Sequence, residues 1–127
     1  MSDQRETLTQ DDKTWALVAH IGTLVSAYVA LGVLAPLFVM LVKGDSPFAR
    51  RHAVESLNFQ ISLLIYTFVG GILAVLLVIV TLGVGMIALV PLGLLLAVAV
   101  VVLIIVATVK ASNGELYEYP LTIRFIK

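Results

Sequence analysis

The sequence predicts an all-α integral membrane protein with three transmembrane helices, at about 14–42, 54–80 and 86–109. Composition comes first. Of 127 residues, 61% are hydrophobic and 13% charged, against about 45–50% and roughly 25% in an ordinary soluble domain. Mean hydropathy agrees, at +1.10. The third observation is the placement of charge. Charged residues fall in three blocks, 1–13, 43–55 and 110–127, and between them lie two charge-free runs, 14–42 and 56–109. A chain of this size cannot hide so much apolar surface from water behind so few charges. Eight Lys and Arg balance eight Asp and Glu, so no basic field exists for nucleic acid. The absence of cysteine excludes a disulfide-stapled secreted domain.

Each helix follows from length. A span needs roughly 20 apolar residues to cross about 30 Å of hydrocarbon. The run 14–42 holds one span with tilt but not two full ones. The run 56–109 holds two, joined at Thr81-Leu82-Gly83-Val84-Gly85 with Pro91 soon after. Barrel strands would alternate polar with apolar; Ile72 to Val80 reads ILAVLLVIV and does not. Residues 1–13 read as a disordered acidic tail and 14–127 as a single helical transmembrane domain. No basic n-region marks a cleaved targeting segment. Three spans put the tail and the 81–85 turn on one side with two Lys or Arg, and six on the other. The positive-inside rule then predicts a multi-pass protein of the cell inner membrane, N-terminus outside and C-terminus cytoplasmic. A half-span hidden in 14–42 would put both termini on one side.

In the first helix, Pro36 cannot donate to the carbonyl of Gly32, which predicts a kink there, with a re-entrant break as the other version. Ala19, Thr23 and Ala27, and Gly22, Ser26 and Ala30, recur at fours and permit close helix packing. Trp15 suits the outer interface, and Tyr28 near mid-depth needs a hydrogen-bond partner. The second helix has a clear start: Ser46 as N-cap and Pro47 at the first position. Residues 47–54 read as a short interfacial stretch, where Phe48 dips into the headgroups and Arg50 and Arg51 reach phosphates. Whether 47–80 is one helix or two segments stays open.

A polar stripe enters the membrane on this helix. At 100° per residue, Arg51, Glu55, Asn58 and Ser62 lie within about 40° of one another, flanked by His52 and Tyr66. Such residues face protein or a wet cavity. They form a candidate polar or interaction site, for a substrate, lipid head or partner helix; interhelical glue is the plainer alternative. His20 lies about two turns into the first helix. It reads as a packing histidine, with a proton relay or metal ligand as the sharper alternative. This topology puts it and His52 at opposite faces, so no metal site is expected. The third helix is nearly featureless, with Thr108 its only side-chain hydrogen-bonding residue between Ile87 and Val109. Asn113-Gly114 turns the chain. An extended segment follows, lying against helix ends or headgroups, with Pro120 arguing against a central strand. Tyr117 and Tyr119 read as aromatic-belt residues.

No phosphate loop, dinucleotide turn, HExxH, CxxC or hydrolase serine motif is present. No nucleophile, base and orienter come together, so no enzyme, catalytic residue or cofactor is expected. Two stretches carry a family resemblance. One is His52-Ala53 followed by Leu57-Asn58-Phe59-Gln60. The other is Lys110-Ala111, Asn113-Gly114-Glu115 and Tyr119-Pro120. With Trp15, His20 and Asp45-Ser46-Pro47-Phe48, the chain resembles the small bacterial DUF4870 membrane proteins, grouped with the Tic20-like proteins. Glu55 departs from the glutamine common there. The resemblance implies a small polytopic membrane protein. Its chloroplast relatives belong to preprotein import and are usually described with four spans.

The function expected from these readings is that of a small polytopic protein acting by helix contacts. Its partners would be the lipid bilayer and either copies of itself, as a homo-oligomer, or a larger membrane protein it serves as accessory subunit. The alternative is a minimal channel, transporter or translocation-like component formed by oligomerisation, with a polar site at the cytoplasmic end of the second helix. Lipid binding through Phe48, Arg50 and Arg51 is a third reading.

Overall fold

The computed structural model describes residues 8–30 and 33–127, with the side chains of 24–30 left out, so the expectations for Tyr28 and Gly32 fall outside it. Four helices follow in chain order: α1 Gln10–Ala30, α2 Leu34–Lys43, α3 Pro47–Val80 and α4 Met86–Ser112. No strand occurs among the described residues.

The first helix starts earlier than its apolar run. The Thr9 backbone N–H donates to Asp12 Oδ2 and the Asp12 N–H donates to Thr9 Oγ1, both at 3.1 Å. This reciprocal box satisfies two of the donors that a helix start leaves open. Residues 10–13, assigned above to the acidic tail, therefore form the first turn of α1.

The single kinked helix expected over 14–42 is two helices. α1 ends at Ala30 and α2 begins at Leu34. Pro36 is not at a kink; it lies in the first turn of α2, where a missing N–H costs no intrahelical bond. The two helices fold back on each other. Ala19 and Val39 share a core cluster, and Gly22 lies so close to Ala35 that an added Cβ would meet the Ala35 Cβ at 2.7 Å. Ten residues make α2 about 15 Å long, half the hydrocarbon thickness, so it does not cross on its own.

α3 opens as its sequence signals indicate. The Ser46 hydroxyl accepts from the Ala49 N–H at 3.3 Å, with Pro47 in the first turn. The helix then runs unbroken to Val80. In the turn that follows, Gly83 takes φ 91° and its N–H donates to Val78 O at 2.8 Å. Thr81 Oγ1 donates to Leu77 O at 2.7 Å and accepts from the Gly85 N–H at 2.9 Å. α3 and α4 are the two described helices long and apolar enough to cross a bilayer; the expected third span is not among them.

α1 is the centre, touching all three other helices. Its contacts use small residues. Ala16 meets Phe48 and Ala111 in one cluster, and Ala19 meets Val39, Ala49 and Ala53 in another. Alanine lets backbones approach, which is how helices pack where solvent supplies no hydrophobic drive. A third cluster joins Phe59 of α3 to Ile104 and Ala107 of α4 and to Tyr119. Beyond it the α3–α4 hairpin stands free, with Phe68 71%, Val80 79% and Ile87 77% exposed. That apolar surface is what a bilayer covers.

The start of α1 lies beside the 43–47 turn and the C-terminal segment. Lys43 Nζ pairs with Asp11 Oδ2 at 2.9 Å and the Ser46 hydroxyl donates to Asp12 Oδ1 at 2.6 Å. Leu8 and Leu116 pack on one cluster. The start of α1, the 43–47 turn and the C-terminal segment thus form one polar cap. The start of α1 and the C-terminal segment, which the three-span reading put on opposite sides of a membrane, meet in this cap, because α1 and α2 pack back on each other.

Candidate functional site

Two polar networks converge under the cap. The first joins α1, α3 and the C-terminal segment. His20 Nε2 lies 2.7 Å from His52 Nδ1, His20 Nδ1 lies 2.8 Å from the Tyr119 hydroxyl, and His52 Nε2 lies 2.8 Å from the Glu115 carbonyl oxygen. A carbonyl only accepts, so His52 donates from Nε2. With both rings neutral its Nδ1 accepts from His20 Nε2–H, and His20 Nδ1 accepts from the Tyr119 O–H. All three side chains are buried. Tyr119 is stacked on Phe59 at 3.9 Å with the rings 3° apart. Burial pushes the Tyr119 pKa up, with Tyr117 and the Glu55 carboxylate adding to it, so the hydroxyl keeps the proton it donates.

The expected separation of His20 and His52 by the membrane is therefore corrected: they are hydrogen-bonded partners. The cause is again the fold-back of α1 on α2, which lays α1 alongside the start of α3. All four ring nitrogens are engaged, and a metal ion would have to displace one of these bonds. Among the described residues no group of three or more His, Cys, Asp or Glu is placed to hold one.

The second network is the stripe itself. Glu55 Oε1 accepts from the Tyr119 N–H at 2.6 Å and from Arg124 Nη2 at 2.7 Å. Asn58 donates from Nδ2 to Ile126 O at 2.8 Å and accepts at Oδ1 from the Ile126 N–H at 2.9 Å. The Ser62 hydroxyl accepts from the Ile123 N–H at 2.8 Å and donates to Ile123 O at 3.5 Å. The Tyr66 hydroxyl donates to Leu121 O at 2.6 Å. The stripe faces protein, and that protein is the chain's own C-terminal segment. Irregular backbone survives beside an apolar helix only if its polar groups find such partners.

The remaining candidates divide. Arg51, one turn before Glu55, is exposed, and the direct ion pair of Glu55 is with Arg124. Arg50 is exposed and reaches only Lys127 O, at 3.5 Å. Phe48, expected to dip into headgroups, has little ring surface free to do so. It is 6% exposed and packs edge-on to His52 at 4.6 Å. Tyr119, read above as an aromatic-belt residue, is 2% exposed; Tyr117 is half-buried, set edge-on to it at 5.1 Å. Trp15 lies under Lys43, whose Nζ is 5.8 Å from the ring centroid. A half-open cleft of about 200 Å³ is lined by Arg51, His52, Glu55, Leu116, Tyr117 and Glu118. Arg124 is the network residue that spacing arguments missed, and Tyr119 belongs to the networks and not to an aromatic belt. In the sequence, Tyr117, Tyr119, Leu121, Ile123 and Phe125 take alternate positions, which is the sign of an extended, docking segment.

Residues 11–126 match the magnetosome magnetite crystal formation protein family, MamF/MmsF. The chain belongs to this family. The match spans nearly all of the described fold, both networks included. It overturns the resemblance to the DUF4870 and Tic20-like proteins, which rested on short motifs, and with it the implied link to preprotein import. No curated protein and no solved structure matches the chain. A small membrane protein with two apolar helices fit to cross a bilayer is consistent with a family of the magnetosome.

Proposed function

We propose that this protein sits in the magnetosome membrane and acts in forming the magnetite crystal, through contacts with copies of itself or with a larger membrane protein and without catalysis. The carrying observation is the family match over residues 11–126. The exposed apolar hairpin supports a membrane seat, and the alanine-lined cap supports a rigid scaffold. Cap residues carry Lys13, Lys43, Arg50, Arg51, Lys110, Arg124 and Lys127, while the 81–85 turn carries no Lys or Arg. The positive-inside rule then favours a cytoplasmic cap.

The test is deletion in a magnetite-forming cell with the full chain restored in trans. Crystals of altered size or shape inside intact vesicles, rescued by the restored chain found in the magnetosome membrane, are expected. Unchanged crystals, or a protein confined to other membranes, would refute the proposal. The channel reading is weaker, because Asn58, Ser62 and Tyr66, the groups that would line a path, bond the C-terminal segment.

A further inference from the structure

The polar face of α3 holds the C-terminal segment by its backbone. Asn58 and Ser62 each give and take a bond on one residue of that segment, Ile126 and Ile123, and Tyr66 adds a third hold on Leu121. These side chains would serve any extended chain equally well. Among the described residues, the ion pair of Arg124 with Glu55 is the one contact in the stripe that reads a side chain, and it sets the register.

Little else keeps the segment in place. Its apolar side chains point away: Leu121, Ile123 and Phe125 are 87%, 41% and 50% exposed. The fixed point is Tyr119, upstream. Between them the chain doubles back through Pro120 and Leu121, and Leu121 takes φ 55°. That conformation suits glycine or asparagine and strains a leucine. The turn is needed only because the segment returns to its own α3.

We propose that the face of α3 bearing Glu55, Asn58, Ser62 and Tyr66 is a receptor for an extended peptide segment, and that residues 121–127 of a second copy fill it in exchange for the chain's own. The second copy supplies the same backbone and the same arginine, so every bond is restored after exchange. Seven residues reach roughly 24 Å, and packed helices lie 8–10 Å apart, so a neighbour beside α3 is within range. A lifted segment leaves a carboxylate and an amide beside apolar surroundings, which favours reciprocal filling over an empty face. The exchange is separate from any role in crystal formation.

The chain has no cysteine, so engineered pairs are unambiguous. Full-length Ser62→Cys and Ile123→Cys chains are mixed in phosphatidylcholine vesicles and oxidised. A mixed disulfide dimer several-fold above the dimer of either variant alone is expected. Leu121→Gly added to the Ile123→Cys chain eases the turn and should lower that dimer at least twofold. No mixed dimer above those levels, while a chain carrying both Ser62→Cys and Ile123→Cys closes its bond within a monomer, would overturn the proposal.

Discussion

Tyr119 ties three parts of the chain at one point. Its hydroxyl meets His20 of α1, its N–H meets Glu55 of α3, and its ring lies on Phe59. Tyr119→Phe keeps the stack but leaves His20 Nδ1 without its donor in a buried site, a loss of about 1–3 kcal/mol. The unfolding midpoint in mild detergent should fall; an unchanged midpoint would show that His20 finds another donor. Asp12 makes a pH-dependent contribution. The Ser46 hydroxyl first, then the Thr9 N–H, hold its carboxyl below the ordinary 3.8. A depressed folded value means the stabilisation is complete above 3.8 and is lost as pH falls through the lower value. Asp12→Asn should therefore flatten the acid limb of a stability-against-pH curve and leave its shape near neutrality alone. At this scale, helical spacing put Glu55, Asn58 and Ser62 on one face, turned to protein or a wet cavity. Their partner stayed hidden because, apart from the Arg124–Glu55 ion pair, the bonds go to backbone 61 to 68 residues away, and a backbone leaves no trace in side-chain identity.

Helix starts and close crossings decide the elements. Ser46 caps α3 and also bonds Asp12 of α1. Ser46→Ala removes both, and the cap alone is worth about 1 kcal/mol. Thermal unfolding of the variant should show at least that loss. Gly22 lies at the α1–α2 crossing, where even a methyl would meet Ala35. Gly22→Val should push the pair apart at a cost of about 1–3 kcal/mol, seen as a lower unfolding midpoint in mild detergent. Gly22→Val with Ala35→Gly should recover part of it. The Ser46-Pro47 start was plain in the sequence because capping is local. The Thr9-Asp12 box was equally local, but the acidic composition around it read as tail. The break before Leu34 stood in the sequence only as an alternative to a kink, because an uncharged run of 29 residues looks the same whether it crosses once or turns back.

At the scale of the whole molecule, the cap gathers segments that the three-span reading separated. Cysteine placed at Ser112 and at Asp45 should react with an impermeant reagent from the same side of sealed vesicles, and cysteine at Val84 from the other. Labelling of Ser112 and Asp45 from opposite sides would contradict the cap. The same labelling with Ser2 in place of Asp45 extends the test to the N-terminus. Membrane class and the α3–α4 pair were legible because length and hydropathy are additive. The meeting of the start of α1 with the C-terminal segment was not, because hydropathy does not tell a half-length helix that packs back from the end of a single span.

Past Leu63 and Val100 the paired helices have little to hold them to each other, and Gly70, Gly71 and Gly93 have no neighbour within 4 Å of where a Cβ would stand. Acyl chains must complete what the polypeptide leaves unfinished there. The angle between the arms should then follow the thickness of the surrounding leaflets, so that short-chain lipids tilt them wide and long-chain lipids draw them upright, while the region around His20 and His52 keeps its shape.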